Sequence, residues 1–380
     1  MSVSRRGFLR TLTAGTLAGS LSALPRLALA APDLAARPER DAEGFLLLDS
    51  NENAYGPSAE TLAAAQDALR RANRYPFREY DALTGDIARL HGVRAEQIVL
   101  GCGSTEILRV TAAALLGPGR KVITAAPTFE DLGTYSKAIG ADVITVPLTA
   151  NFAHDLPGML RRIDDSVRVV YICNPNNPTA SLTPRNDLDA FLGKVPASVC
   201  VLIDEAYHHY VSPSARYVSF LDRPVRRENM IVMRTFSKIH ALAGLRLGYA
   251  VTDSEMARRL RARLTDIDLN VAVVAAGRAA LADAEGVRVS AKRNTDDRQE
   301  FFNQAMARML KPIDSHANFV MMDAHQSADD VIAHFLKNKV RIGRHFPPLT
   351  RHIRVSLGTP AAMEEFWRVW DMLPRSGMSM

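Results

Sequence analysis

The sequence predicts an α/β protein, with a large domain on a mainly parallel seven-stranded sheet between helices and a small C-terminal α/β domain. Three observations carry that expectation. Between residues 97 and 251 seven short apolar runs alternate with helical stretches, the pattern of an open sheet covered on both faces. Some are apolar throughout, as in Val169-Val170-Tyr171-Ile172-Cys173, which suits strands with no solvent face. After Asp253 the chain turns helical and charge-rich through Leu281, and a second, smaller set of runs then follows.

In chain order the predicted strands of the large sheet are 97–100, 121–125, 143–146, 167–173, 199–204, 230–235 and 245–251. Those of the small domain are 318–322, 340–342 and 353–355, with helices over 328–337 and 361–372. The chain is divided as 1–30, an export signal; 31–59, an N-terminal arm; 60–265, the large domain; and 266–380, the small domain. With 380 residues, 47% of them hydrophobic, there is enough chain for two cores. No stretch after residue 30 approaches the roughly 18 uninterrupted apolar residues of a membrane helix, so no stable membrane association is expected.

The first thirty residues are of another kind. Arg5-Arg6-Gly7-Phe8-Leu9-Arg10 precedes a small-residue apolar stretch and Ala28-Leu29-Ala30, the layout of a secretory signal with its cleavage site. Paired arginines followed by Phe-Leu resemble a twin-arginine signal, which implies export of a folded protein to the periplasm. Four of the 47 basic residues and none of the 41 acidic ones lie in this segment, leaving 43 against 41. The basic balance therefore belongs to the signal, and no nucleic-acid partner is expected. Cys102, Cys173 and Cys200 lie far apart in strand-like runs and are read as small buried residues without a disulfide framework.

Ligands of open α/β sheets bind beyond the carboxyl ends of the strands, and four polar clusters fall there. They are Gly101-Cys102-Gly103-Ser104-Thr105, Asn174-Pro175-Asn176-Asn177-Pro178-Thr179, Asp204-Glu205-Ala206-Tyr207 and Thr235-Phe236-Ser237-Lys238. Each residue alone has a plain structural use: Asp204 as a helix cap, Phe129 as core, the short glycine motif as a turn, Lys238 as a solvated strand end. Gly101-Cys102-Gly103 runs on into Ser104-Thr105-Glu106, so the G-x-G-x-x-G turn of a dinucleotide-binding dehydrogenase is missing.

These clusters form one collinear set with Asn51-Glu52-Asn53-Ala54-Tyr55-Gly56-Pro57, Arg74-Tyr75-Pro76, Pro127-Thr128-Phe129, Arg246 and Arg354-Val355-Ser356-Leu357-Gly358-Thr359. The set resembles the fold-type I pyridoxal-phosphate aminotransferases of class I and II, and within them the histidinol-phosphate aminotransferase branch. The resemblance implies pyridoxal 5'-phosphate as cofactor, with Lys238 carrying it as a Schiff base and later moving a proton. It implies Asp204 as partner of the pyridine nitrogen, Tyr207 and Asn177 as donors to the ring oxygen, and Phe129 stacked on the ring. Ser104, Thr105, Ser237 and Arg246 would hold the phosphate, Ser104 and Thr105 at the start of a helix. Tyr75 would reach it from a second subunit, which implies a homodimer with shared sites. Arg354, Arg344 and Asn51 are the implied substrate contacts.

The implied reaction moves an amino group from an amine or amino-acid donor to a 2-oxo acid by ping-pong kinetics. Another reaction on the same cofactor stays open: decarboxylation, elimination or oxidation of an amino acid. So does a non-catalytic periplasmic amino-acid-binding protein, which would not need Lys238, Asp204 and Tyr207 together. The sequence departs from the family at Ala180, where glycine is usual, at His208-His209, and in a shortened stretch between Arg344 and Arg354. Neighbouring histidines do not converge easily on a metal, and none is expected.

Overall fold

The computed structural model describes residues 40–212, 214, 216–224 and 228–374. The export signal predicted for residues 1–30 lies outside the described residues, as do residues 31–39 of the predicted arm. The strands, in chain order, are β1 (Leu46–Leu48), β2 (Ile98–Gly101), β3 (Lys121–Ala126), β4 (Asp142–Pro147), β5 (Val167–Cys173) and β6 (Cys200–Asp204). They continue with β7 (Met230–Thr235), β8 (Gly248–Val251), β9 (Lys311–Pro312), β10 (Phe319–Asp323), β11 (Val340–Ile342) and β12 (His352–Ser356).

The predicted seven-stranded sheet is present, in the order β2-β8-β7-β6-β5-β3-β4. Strands β3 to β7 run parallel, and β8 lies antiparallel to both β7 and β2. The central strands are buried on both faces, so β5 and β6 contribute alternate side chains to two separate cores. Val169, Tyr171 and Leu202 face one, with helix Ser104–Leu115; Val170, Ile172, Val201 and Ile203 face the other, with helix Arg185–Leu192. That is why these runs carry no polar alternation.

The small layer is the antiparallel sheet β12-β10-β9, with helices Ala328–Lys337 and Pro360–Asp371 packed in one core on Phe335, Phe366 and Trp367. The N-terminal arm is part of it: β1 pairs in parallel with β11, and Leu46 and Leu48 enter that core. Helix Val271–Ala282, by contrast, packs through Val273, Val274 and Ala276 with Leu83 and Leu247 beside the large sheet. The change of layer thus falls in the long helix Ala284–Ala307, later than residue 265.

Two local expectations need correction. The run 245–251 is a strand only from Gly248; Ala243–Leu245 is a 3-10 turn and Arg246 has φ 63, which turns its side chain toward the site. Cys173 and Cys200 are buried as expected, but Cys102, just past the end of β2, is exposed. Ala180, where the family usually has glycine, adopts φ 58. Its N–H bonds Asn176 O at 2.7 Å and its carbonyl accepts from His316 N at 2.8 Å, so its surroundings hold the strained conformation.

A histidine cluster lies beside the large sheet. His208 and His209 stack edge to face, His209 meets His240, and His91 bonds Tyr249 Oη at 2.8 Å. Burial lowers all four, helped by the Arg234 cation, to about 4 for His91 and His240. Buried His154 is likewise lowered to about 4. Such histidines stay neutral in the fold but take protons once unfolded, near pH 6.5. Stability is then fully present above that value and lost as pH falls from 6.5 through about 4. Asp131, Asp204, Asp268 and Asp297, all raised by burial, act in the opposite sense, but the five histidines outnumber them. We expect the thermal midpoint to drop steeply between pH 6.5 and 4.5; a flat midpoint over that range would contradict the account.

Candidate active site

The carboxyl ends of β5, β6 and β7 lie side by side, with Cys173 opposite Asp204 and Asp204 opposite Met233. The loops that leave these ends, with the loop after β2 and the segment Asp49–Glu52, enclose a cavity of about 380 Å³. Eleven predicted residues line it: Asn51, Ser104, Thr105, Phe129, Asn177, Asp204, Tyr207, Ser237, Lys238, Arg246 and Arg354. Arg344 and Tyr75 do not.

Lys238 reaches the cavity from the turn after β7. Its Nζ donates to Asn51 O at 3.0 Å and lies 5.8 Å from the Tyr207 ring centre. Burial, reinforced by the cation of Arg354, lowers its pKa to about 8. An amine so placed is partly free base near neutral pH, which a nucleophilic lysine requires.

Asp204 ends β6, 3% exposed. Tyr171 Oη donates to one carboxylate oxygen at 2.8 Å and Ala206 N–H to the other at 3.0 Å. Burial raises its pKa to about 6, against those two hydrogen bonds. No side-chain cation bonds it among the described residues, so the site holds an anion prepared for a cationic ligand atom.

Tyr207, Asn177, Asn51 and Arg354 form one network. Tyr207 Oη accepts from Asn51 Nδ2 at 3.1 Å and from Asn177 Nδ2 at 3.5 Å, and Arg354 donates to Asn177 Oδ1 at 2.7 Å. Arg354 also donates to Asp49 O at 2.6 Å, while its buried Nε has no hydrogen-bond partner among the described residues. Burial lowers Arg354 to about 10. An arginine fixed by two acceptors, with three of its five N–H groups left over, is suited to grip an anionic substrate group.

An anion cradle closes the other end. Helix Ser104–Leu115 begins there, and its first N–H groups have no acceptor inside the helix. Arg246 approaches Ser237 Oγ at 3.5 Å, and Thr235 Oγ1 bonds Ser237 Oγ at 2.9 Å. Two glycines make room. A Cβ on Gly103 would stand 2.2 Å from Arg246 Nη2, and one on Gly248 would stand 2.3 Å from Ser104 N. A phosphate at the cradle, a cationic ring nitrogen at Asp204 and an amine-reactive carbon at Lys238 match what these residues present. The donor set therefore fits pyridoxal phosphate.

Sequence reasoning missed Tyr171, Asp49 and Ser356. Tyr171 is the one hydroxyl in a strand buried at every position but Arg168, and a buried phenol needs a partner; that was the available signal. Asp49 works through its carbonyl, and Ser356 Oγ accepts the Asn51 N–H at 2.8 Å across 305 residues, which no local pattern reveals. Tyr75 is 80% exposed on the outer surface. Arg344 pairs with Glu130 at 2.5 Å beside a second cavity.

Residues 43–369 match the family model described as aminotransferase class I and II. The chain belongs to that family. A histidinol-phosphate aminotransferase of Moorella thermoacetica is 36% identical over 332 residues, 87% of this chain and 86% of its own length. An aromatic amino acid aminotransferase of Rhodococcus jostii is 34% identical, over 87% of this chain and 90% of its own. Among solved structures, the histidinol-phosphate aminotransferase of Sinorhizobium meliloti in complex with pyridoxal-5'-phosphate superposes with a TM-score of 0.80 at 26% identity. It covers 86% of this chain and 91% of that one. The aminotransferase is thus of the histidinol-phosphate aminotransferase group, with the fold class expected from sequence.

Proposed function

We propose that this aminotransferase binds pyridoxal 5'-phosphate covalently at Lys238 and moves an amino group from an amine or amino-acid donor to a 2-oxo acid. The observation that carries the reading is the placement of a buried, pKa-lowered lysine and a buried carboxylate in one cavity, with an anion cradle at its end. When bound, the cofactor supplies a carbonyl that condenses with an amine and a ring that takes up the electron pair released at the substrate carbon. Every other part falls to the chain. Ser104, Thr105, Ser237 and Arg246 hold the phosphate, and Phe129 covers the ring face. Asp204 keeps a proton on the ring nitrogen, because the ion pair favours the charged form on both partners. Tyr207 and Asn177 donate to the ring oxygen. Lys238 Nζ would anchor the cofactor and, as a free amine, would be the base that takes the proton from the substrate carbon. Arg354 orients the donor through an anionic group.

Tyr75 contacts the phosphate of a second copy, and the protein acts as a homodimer; its exposure beside Phe77 supports a surface meant to be covered. The protein is exported to the periplasm by its twin-arginine signal. This fits a cofactor enzyme, which must be loaded before it leaves the cytoplasm. We expect that replacing Arg5 and Arg6 with lysine retains the protein in the cytoplasm, read by cell fractionation; unchanged partition would refute the route.

The test of the reaction is a donor panel with labelled nitrogen and 2-oxoglutarate as acceptor. Transfer of label with parallel-line kinetics is expected for at least one donor. Release of carbon dioxide, ammonia or hydrogen peroxide in place of transfer would assign a different reaction on the same cofactor.

A further inference from the structure

A second cavity of about 420 Å³ opens beside the first, sharing Asp49, Phe129, Asn177 and Arg354 with it. It is where the distal end of a donor held at Arg354 would lie. Its wall carries two aromatic rings, Phe129 and Phe346, and two arginines, Arg344 and Arg354, whose guanidinium groups stand 4.3 and 4.6 Å from the Phe346 ring centre. It also carries the carboxylates of Glu130 and Asp131.

We infer that Glu130 is a specificity-determining residue: by pairing with Arg344 across the cavity it takes the place of a substrate anion and favours donors with an uncharged, planar tail. The inference rests on the proposed reaction. Glu130 follows Phe129 on the loop after β3, and Arg344 follows β11, so the pair links the large-sheet side of the cavity to the small layer. The loop carrying Glu130 is fixed. Thr128 Oγ1 donates to Asn176 Oδ1 at 2.7 Å, and Asn176 Nδ2 donates to Pro127 O at 3.1 Å. Arg344 is held as well, donating through Nη1 to His345 O at 2.8 Å and through Nη2 to Glu130 Oε2.

A donor ending in phosphate or carboxylate must displace Glu130 to use Arg344, and then sits beside the displaced carboxylate and Asp131. Both costs fall on anionic tails alone. An aromatic or imidazole tail meets Phe129 and Phe346 and leaves the pair intact. The side chains of Arg344 and Glu130 are 54% and 59% exposed, so the discrimination is of modest size and screened by salt.

The test compares kcat/KM for glutamate, whose tail ends in a carboxylate, with that for phenylalanine in the cofactor-loaded enzyme and in Glu130→Gln. We expect the ratio of carboxylate-ended to aromatic donor to rise about three- to tenfold in the variant, through KM and not kcat. The gain should vanish in 1 M salt, where the screening length is about 3 Å, and in the double variant Glu130→Gln/Arg344→Gln. An unchanged ratio at low salt overturns the inference, and so does a change carried by kcat. Failure of the unaltered enzyme to turn over any donor would instead overturn the proposed reaction, which keeps the two claims apart.

Discussion

Replacing Lys238 with alanine is expected to lower amino transfer by at least about 10⁴-fold, since the same side chain is anchor, displaced amine and proton carrier. A general base alone is worth about 10²–10⁴, and covalent anchoring adds to it. The structure explains why no neighbour can substitute. Lys238 Nζ is fixed on Asn51 O at 3.0 Å, and the other cations of the cavity, Arg246 and Arg354, are engaged at its two ends. Folding should be spared, because Nζ bonds only backbone carbonyls of the segment Ser50–Asn51. Single-turnover assays on the variant check this, and partial rescue by a small added amine would assign the loss to proton transfer. Activity within tenfold of the unaltered enzyme would contradict the assignment.

Asp204→Asn separates function from stability. The carboxylate is buried and its pKa is raised to about 6 from an ordinary value near 3.8. A raised carboxyl contributes stability at low pH that is lost as pH rises through the folded value near 6. Above pH 6 the cofactor-free protein therefore carries a burden of about 2–3 kcal/mol, which an ion pair with the bound ring nitrogen offsets. Asparagine removes the burden together with the ion pair. Transfer is expected to fall about 10²–10⁴-fold, while the cofactor-free variant at pH 8 is as stable as the unaltered protein or more so. Denaturant melts of the cofactor-free proteins and transfer assays of the loaded ones read both effects; a variant that loses stability at pH 8 would contradict the electrostatic account of Asp204.

What the sequence could disclose follows from the range of the forces involved. The strands of the large sheet were legible because burial on both faces leaves unbroken runs such as 167–173, and because the polar clusters at their ends interrupt those runs abruptly. Residues that act where such a run stops, Asp204 and Lys238 among them, share that legibility. The short strand β1 was not legible, since three leucines pair with β11 nearly three hundred residues away and carry no period of their own. The same reason hides Asp49 and Ser356. Arg246 was found as a residue and misplaced in structure: the run around it looks like a strand, yet its positive φ lets the guanidinium lie over Gly103. For Arg344 the sequence offered an anion contact and the structure an ion pair with Glu130, a carboxylate far away in sequence that no local spacing links to it.

The most direct test of the central claim is the absorbance spectrum of the purified protein lacking residues 1–30, with and without added pyridoxal phosphate, beside that of Lys238→Ala. The account predicts a near-visible band that depends on Lys238 and is bleached when a suitable amine is added. No such band after incubation with the cofactor, or an equal band in the alanine variant, would contradict it.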